Sequence, residues 1–224
     1  MDPFEVALLD IDGTLLDSTY HHALAWSRAF AGVGHPVPVW RIHRHIGMGG
    51  DRLIPAVTDE QTAERIADDV QERWQAAYDE MIEETRLLPG ARDLLDTLRA
   101  AGMRVVLASS SIPKHAEHAL RLLEADERAD AWTTSEDAEE SKPDPELLEA
   151  ALDEVGGQQA VMIGDATWDV IAANRVSVPT IGLLCGGFGE AELREAGAAA
   201  VYRDPADLVA HLDEALSAAG ARRG

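Results

Sequence analysis

Acidic and hydroxyl-bearing residues follow three short apolar runs of this chain at the points where the runs end. Asp10 and Asp12 follow Val6–Leu9, and Ser109, Ser110 and Ser111 follow Arg104–Ala108. Asp165 and Asp169 follow Gln159–Ile163 and the glycine after it, Gly164. If the runs are neighbouring parallel strands, their carboxyl ends bring these side chains to one edge of a sheet. Clustered carboxylates repel each other unless a cation binds among them, and oxygen ligands favour Mg²⁺ over zinc or copper. Such residues also end strands and cap helices, but all the segments together favour a magnesium site.

Lys142 stands between the second and third of these runs, in Ser141-Lys142-Pro143-Asp144-Pro145. The chain has 19 basic residues, of which only Lys114 and Lys142 are lysines. A chain that uses arginine almost everywhere else has kept a lysine here. This choice indicates that a compact ammonium group is required at position 142.

Apolar strand patterns and helical patterns alternate along most of the chain. The predicted strands are Val6–Leu9, Arg104–Ala108, Ala131–Thr133, Gln159–Ile163 and Pro179–Leu184. The predicted helices between and after them are Ala91–Ala100, Pro113–Leu123, Pro145–Val155, Trp168–Asn174 and Asp204–Ala218. Strands separated by helices of this length predict an α/β fold with a doubly wound parallel sheet.

The stretch from Ser18 to Glu84 interrupts this alternation because it shows only helical patterns. These are His21–Phe30, Val39–Ile46 and Glu60–Glu83, with prolines and the Gly47–Gly50 cluster as breaks. We therefore expect an all-helical cap at residues 18–84, inserted into an α/β core made of residues 1–17 and 85–224.

The composition excludes several classes of protein. A net charge of −22 repels phosphate backbones and anionic lipid, so neither nucleic acid nor a membrane surface is an expected partner. The longest stretch without charge, Val176 to Gly189, is shorter than the roughly 20 apolar residues of a membrane span. The acidic start MDPFEV is unlike a secretory signal, and the one cysteine, Cys185, excludes an internal disulfide and a cysteine-based zinc site. We expect a soluble cytoplasmic protein, as a monomer or a dimer.

The segments that carry these residues resemble, in the same order, the four motifs of the haloacid dehalogenase-like (HAD) superfamily. Asp10-Ile11-Asp12-Gly13-Thr14 is similar to its D-x-D-G-T signature. Ser109, Lys142 of S-K-P-D-P and the G-D-x-x-x-D of Gly164-Asp165 and Asp169 resemble the other three. The resemblance covers nearly the whole chain and implies a Rossmann-like core with a helical cap between the first two motifs.

The resemblance implies a phosphatase acting on a small-molecule phosphate ester through an aspartyl-phosphate intermediate. Asp10 would be the nucleophile and Asp12 the general acid and base. Mg²⁺ would be held by Asp10, Asp165 and the main-chain carbonyl of Asp12, while Ser109 and Lys142 would bind the transferring oxygens. Asp169 would orient the metal ligands or water. The remaining residues expected near the metal or the substrate are Thr14, Ser110, Gly49 and Gly50.

Related activities differ in how well they match the sequence. A dehalogenase typically carries an aromatic residue where Asp12 stands, and a phosphonoacetaldehyde hydrolase needs a cap lysine, which Ser18–Glu84 lacks. A β-phosphoglucomutase-like sugar phosphate mutase stays open, because His22 and Trp26 resemble residues of that family. Those mutases, however, usually show Glu-Asp where this chain has Gly164-Asp165. A degenerate, non-catalytic HAD-fold binding protein is the third alternative.

The cap is expected to determine the substrate. The glycine-rich loop Gly47–Gly50 resembles the specificity loop of this cap class and is expected to reach Asp10 when the cap closes. Three arginines near this loop, Arg41, Arg44 and Arg52, either bind a second anionic group of the substrate or are ordinary surface cations. On the helix after Ser109, His115 and His118 are expected to face solvent.

Overall fold

A six-stranded parallel sheet forms the centre of the computed structural model, which describes residues 4–138, 140–156 and 159–223. The strands of the chain are β1 (Val6–Leu9), β2 (Leu16–Asp17), β3 (Arg86–Leu87), β4 (Arg104–Ala108), β5 (Ala131–Thr133), β6 (Ala160–Gly164), β7 (Thr180–Leu183) and β8 (Ala200–Tyr202). The sheet order is β5-β4-β1-β6-β7-β8. The chain therefore moves outward from β1 in both directions, and the order reverses at β1. In open α/β sheets this reversal creates a crevice at the carboxyl ends of the strands.

Helices cover both faces of this sheet. The helices in the described residues are α1 (Thr19–Gly32), α2 (Val39–His43), α3 (Gly50–Val57), α4 (Glu60–Asp79), α5 (Ala91–Ala100), α6 (Pro113–Leu123), α7 (Ala125–Arg128), α8 (Glu146–Val155), α9 (Thr167–Arg175), α10 (Glu190–Ala196), α11 (Pro205–Ala210) and α12 (Leu212–Gly220), and those that cover the sheet come after β3. Alternate residues of β1 enter two different cores: Ala7 and Leu9 pack with α5 and α12, whereas Val6 and Leu8 pack with α8 and α9. A strand buried on both faces is apolar at every position, and the doubly wound α/β fold is thereby confirmed.

Helices α1–α4 lie between β2 and β3 and have an apolar core of their own. Trp26 and Phe30 of α1 pack there with Ile42, Leu53 and Val70 of the other three helices. The chain leaves and re-enters the sheet-bearing part through β2 and β3, which pair antiparallel. We propose that α1–α4 are the cap expected at residues 18–84.

Several elements differ from the sequence predictions. Helix α3 was not predicted, because its glycine-rich start and Pro55 are patterns that usually break helices. Helix α4 ends at Asp79 and is followed by a short 3₁₀ turn, Ile82–Glu84. The predicted closing helix divides at His211 into α11 and α12, and the short strand β8 follows an alanine run without a strand pattern. No helix in the described ranges is long and apolar enough to cross a membrane.

Candidate active site

Asp10 lies at the carboxyl end of β1, where the strand order reverses. Its side chain is buried and accepts a hydrogen bond of 2.5 Å from the Nζ atom of Lys142, although the two residues are 132 positions apart. Burial raises the pKa of Asp10 to about 7, and the nearby ammonium of Lys142 opposes this shift. The nucleophile expected from the sequence is therefore paired with the lysine expected to accompany it.

Lys142 contacts three oxygen atoms although its side chain is fully buried. Besides Asp10, Nζ lies 2.8 Å from Oδ1 of Asp169 and 3.3 Å from the carbonyl oxygen of Ala108. Burial alone would lower the pKa of this lysine, but the two carboxylates outweigh burial and raise it. The ammonium is thus held in its charged form between an acid at the end of β1 and an acid in the first turn of α9.

A cluster of carboxylates next to this lysine could hold a metal ion. Oxygen atoms of Asp10, Asp165 and Asp169 lie within 4.8 Å of one another. Burial, followed by the charges of Asp10 and Asp169, raises the pKa of Asp165 well above its ordinary value. A buried cluster of this kind requires positive charge, and its all-oxygen donors suit Mg²⁺. The residues present therefore fit a magnesium ion held by Asp10 and Asp165.

Asp165 is fixed by its immediate surroundings. Thr14 donates a hydrogen bond of 2.7 Å from Oγ1 to Asp165 Oδ1. Main chain approaches the same carboxylate at two glycines: a Cβ atom on Gly186 would lie only 1.6 Å from Asp165 Oδ2, and one on Gly13 would lie 2.6 Å from it. The sequence identified Thr14 as a neighbour of the site, whereas for Gly186 it left open both a place in a further active-site loop and an ordinary glycine turn.

Asp12 is held by three side chains at the edge of the cavity in front of Asp10. Ser18 and Ser111 donate hydrogen bonds of 2.5 and 2.8 Å to its two carboxylate oxygens, and Nε2 of His22 lies 3.2 Å from Oδ1. Burial favours a higher pKa for Asp12, but His22 and the two serines outweigh burial and hold the pKa below its usual range. The sequence did not identify Ser18 or Ser111 as partners of Asp12.

Asp169, Ser109 and Ser110 are the other residues of the α/β core that the sequence predicted for the site. Asp169, besides contacting Lys142, accepts a hydrogen bond of 3.0 Å from the main-chain nitrogen of Ala166, so it holds the lysine and caps the start of α9. Ser109 is buried and its Oγ accepts a hydrogen bond from the main-chain nitrogen of Ser111. Ser110 and Ser111 line the cavity, and Ser109 is not among the residues that line it.

The cavity in front of Asp10 and Asp12 has a volume of about 270 Å³. The Gly47–Gly50 loop forms part of its wall, as do Ser110 and Ser111. Gly49 donates a main-chain hydrogen bond of 2.9 Å to Oγ of Ser141, the residue before Lys142. The loop therefore lies at the site in this structure, and both Gly49 and Gly50 border the cavity.

None of the three cap arginines lines this cavity. Arg44 is paired with Glu192 and Arg52 with Glu140, whereas Arg41 is exposed. Trp168 additionally donates a hydrogen bond of 3.2 Å from Nε1 to the carbonyl oxygen of Arg44. Arg44 and Arg52 thus join the helical segment to two separate segments of the rest of the chain.

The expectation that His115 and His118 face solvent was wrong. His115 is 4% exposed and lies 3.0 Å from a carboxylate oxygen of Asp79, and His118 is 6% exposed and lies 3.2 Å from the hydroxyl of Thr85. Both residues lie on the side of α6 that packs against the end of α4 and the turn after it. The sequence pattern of α6 alone could not reveal this neighbour.

Comparison with known proteins assigns the chain to a family. The family described as haloacid dehalogenase-like hydrolase matches residues 4–177, and a second family of HAD-like hydrolases matches residues 140–215. The chain therefore belongs to the haloacid dehalogenase-like hydrolases, as the sequence motifs predicted, and it is an enzyme of the hydrolase class.

Individual relatives cover most of the chain. It is 29% identical to validoxylamine A 7'-phosphate phosphatase of Streptomyces hygroscopicus subsp. limoneus, over 80% of this chain and 85% of the relative. It is 28% identical to phosphoglycolate phosphatase of Agrobacterium fabrum, over 96% of this chain and 95% of the relative. The crystal structure of a hydrolase from Pseudomonas syringae is 37% identical, with a TM-score of 0.89, over 94% of this chain and 98% of that one.

Proposed function

We propose that this member of the haloacid dehalogenase-like hydrolases is a Mg²⁺-dependent phosphatase that hydrolyses the phosphate monoester of a small metabolite. The observation that carries the proposal is the pairing of Asp10 with Lys142 at the switch point of the sheet, beside a cavity that Asp12 also lines. Both relatives described above are named as phosphatases, which supports phosphoryl transfer to water.

The reaction would proceed in two displacements at phosphorus. A carboxylate oxygen of Asp10 attacks the phosphorus, and the bond to the leaving alcohol oxygen breaks while an aspartyl phosphate forms. Asp12 gives a proton to the leaving oxygen. Asp12 then takes a proton from a water molecule, whose oxygen attacks the phosphorus and releases inorganic phosphate from Asp10.

The surroundings of Asp12 favour its role as a base in the second step. Ser18, Ser111 and His22 stabilise its carboxylate form. For the first step Asp12 must carry a proton, and a phosphate dianion bound beside it raises its pKa by charge repulsion. The protonation state of Asp12 would thus follow the charge of the group bound in the cavity.

Lys142 fixes one oxygen of Asp10 and compensates the charge of Asp169. A Mg²⁺ ion bound by Asp10, Asp165 and the main-chain carbonyl of Asp12 would neutralise negative charge on the phosphoryl group. Ser110 and Ser111 line the part of the cavity where phosphoryl oxygens would lie.

Hydrolysis is favoured over sugar phosphate isomerisation by the surroundings of Gly164. A Cβ atom at this position would lie 2.6 Å from atoms of Asp169, so the Glu-Asp pair usual in β-phosphoglucomutases does not fit here without a shift. The mutase remains the second candidate because His22 lines the cavity beside Asp12.

The test is hydrolysis of 4-nitrophenyl phosphate with Mg²⁺. Asp10→Asn is expected to abolish turnover while the circular dichroism spectrum stays unchanged, and Asp12→Asn is expected to lower the rate by ~10²–10⁴-fold. Turnover by Asp10→Asn at the wild-type rate, with deamidation excluded by mass spectrometry, would contradict the assignment of the nucleophile.

A second assay separates phosphatase from mutase. With β-glucose 1-phosphate and the corresponding bisphosphate, a phosphatase releases inorganic phosphate, whereas a mutase accumulates glucose 6-phosphate. Efficient isomerisation would replace the proposed activity by the mutase. If the wild-type protein turned over no phosphate ester at all, a non-catalytic binding role would remain.

A further inference from the structure

The part of the cavity that would receive the alcohol half of a substrate is short of positive charge. Asp51 of the helical segment and Glu140 of the loop before Lys142 line it, in addition to the catalytic acids Asp10 and Asp12. Among the described residues that line this cavity there is no arginine and no lysine. The imidazole of His22 also lines the cavity, but its Nε2 lies 3.2 Å from Asp12, so it is already paired with an acid. A carboxylate or a second phosphate on the substrate would therefore meet acidic groups instead of an unpaired cation.

The cations closest to this region already have acidic partners. Arg52 is paired with Glu140 and lies 3.8 Å from a carboxylate oxygen of its neighbour Asp51. Lys142 is fully buried and lies between Asp10 and Asp169. Binding a second anion would require one of these pairs to separate and leave an acid without its partner, which is unfavourable.

The remaining wall offers flat apolar surfaces and neutral hydrogen-bonding groups. Trp26 and Trp74 both line the cavity and stack on each other at a ring-centre distance of 4.8 Å. The indole Nε1 of Trp74 is buried and has no hydrogen-bond partner among the described residues. Gln71 adds an amide beside Gly50, where a Cβ atom would lie only 2.5 Å from Gln71 Nε2. An indole N–H can only donate, so a hydroxyl or ether oxygen suits it as an acceptor, but this donor does not by itself distinguish such groups from a carboxylate.

We propose that the alcohol half of the substrate carries no second anionic group and is an uncharged, hydroxyl-bearing molecule that packs against Trp26 and Trp74. This inference rests on the proposed phosphatase function and narrows its substrate class. This substrate class differs from that of relatives named for phosphoglycolate, because the alcohol half of phosphoglycolate is glycolate, which carries a carboxylate. The cavity volume of about 270 Å³ suits such a small ester, because it falls below the ~300–1,000 Å³ of pockets for drug-sized ligands.

The experiment compares esters that differ only in the second charge. One pair is 4-carbamoylphenyl phosphate and 4-carboxyphenyl phosphate, which have nearly the same shape. The other is glycerol 3-phosphate and 3-phosphoglycerate, in which a hydroxymethyl group replaces a carboxylate. We expect kcat/KM to be about tenfold or more higher for the uncharged member of each pair, because like charges at a binding site are strongly unfavourable.

A substitution then locates the discrimination in this cavity. Gln71→Arg introduces a cation at an exposed position of α4 that lines the cavity, and it is expected to reduce the preference for the uncharged member by about tenfold. The matched control is Gln61→Arg, the same chemical change at an exposed position of α4 that does not line the cavity. The control is expected to keep the wild-type preference.

The outcomes separate this inference from the proposed function. Equal kcat/KM values within each pair, or higher values for the carboxylates, would overturn the inference while leaving the phosphatase intact. If Gln71→Arg kept the wild-type preference for the uncharged esters, the proposal that this cavity causes the preference would be wrong. Absence of Asp10-dependent hydrolysis of every ester would instead refute the proposed function.

Discussion

Lys142 links the chemistry of the site to the stability of the fold. Its ammonium compensates two buried carboxylates, those of Asp10 and Asp169, which follow different strands. We expect Lys142→Met to lower the free energy of unfolding by about 3–5 kcal/mol, because it leaves two buried acids without a counter-charge. Urea unfolding of the metal-free protein measures this loss, and the same variant is expected to be inactive.

A double-mutant cycle distinguishes the lost ion pair from lost packing. Asp169→Asn removes one of the two charges that Lys142 compensates while keeping an oxygen for the main-chain nitrogen of Ala166. The double variant Lys142→Met/Asp169→Asn should then be less destabilised than the sum of the single variants. Additive losses would mean that charge compensation contributes little.

Asp165 provides a test of the metal that does not depend on turnover. The raised pKa of this carboxyl reflects burial together with the charges of Asp10 and Asp169, so a divalent cation relieves the repulsion. Mg²⁺ at a hundred times its dissociation constant is expected to raise the stability by about 2.7 kcal/mol. Thermal unfolding measures the shift, and Asp165→Asn should remove most of it. No shift in the wild-type protein would contradict the metal assignment.

Activity should follow the same ion. EDTA is expected to stop hydrolysis and Mg²⁺ to restore it. Ca²⁺ should inhibit, since its larger and looser coordination shell would displace the nucleophile. Full activity in the presence of chelator would show that the mechanism is wrong.

At the level of elements, the Gly47–Gly50 loop is one part of the helical segment that lines the cavity. A Cβ atom on Gly49 would lie 2.7 Å from Cβ of Ser141 and 2.6 Å from a carboxylate oxygen of Asp51. Gly49→Val should therefore keep the loop from reaching Ser141. We expect kcat/KM to fall far more for a metabolite ester that contacts the loop than for 4-nitrophenyl phosphate, with Mg²⁺ affinity unchanged.

Ser141→Ala is the matched comparison for this loop, since it removes the hydrogen bond to Gly49 without adding bulk. A smaller effect than that of Gly49→Val is expected. Equal losses for both esters in Gly49→Val would argue against closure by the loop, as would an unchanged position of α1–α4 in structures with and without a bound phosphate analogue.

The strands that carry the site could be predicted from sequence because they are buried on both faces. Leu8 and Leu9 enter opposite cores, so β1 is a continuous apolar run with Asp10 at its end. Helix α3 gave no such signal, since its fold depends on packing Leu53 and Ile54 against α1 and α4 and this packing outweighs the cost of Pro55. Local patterns report local preferences, whereas α3 is stabilised by tertiary contacts.

The same limit applies to the partners of Asp12 and Asp165. Asp10, Asp165 and Lys142 could be named from sequence because each occupies a motif next to a recognisable element. The hydrogen bonds from Ser18 and Ser111 to Asp12, and the close approach of Gly186 to Asp165, join segments brought together only by the folded sheet and helices. No spacing rule in a single sequence encodes these contacts.

The large net negative charge of the whole molecule is expected to make its stability depend on salt concentration. Acidic residues number 41 against 19 basic ones, so many acids have no cationic partner and the surface repels itself. Raising NaCl from about 10 mM to about 300 mM shortens the screening length from about 30 Å to less than 10 Å. We expect the free energy of unfolding to increase over this range, because exposed ion pairs, which salt weakens, contribute only about 0–1 kcal/mol each.

Urea unfolding at each salt concentration measures this dependence, since urea itself is uncharged. Reversing three exposed acids on α4, Glu64→Lys, Asp68→Lys and Glu72→Lys, reduces the net negative charge without touching the cavity. This variant should be more stable than the wild type at low salt and should gain less from added NaCl. A wild-type stability that falls as salt rises would mean that the ion pairs, including the half-buried one of Arg44 and that of Arg52, outweigh the repulsion among the remaining acids.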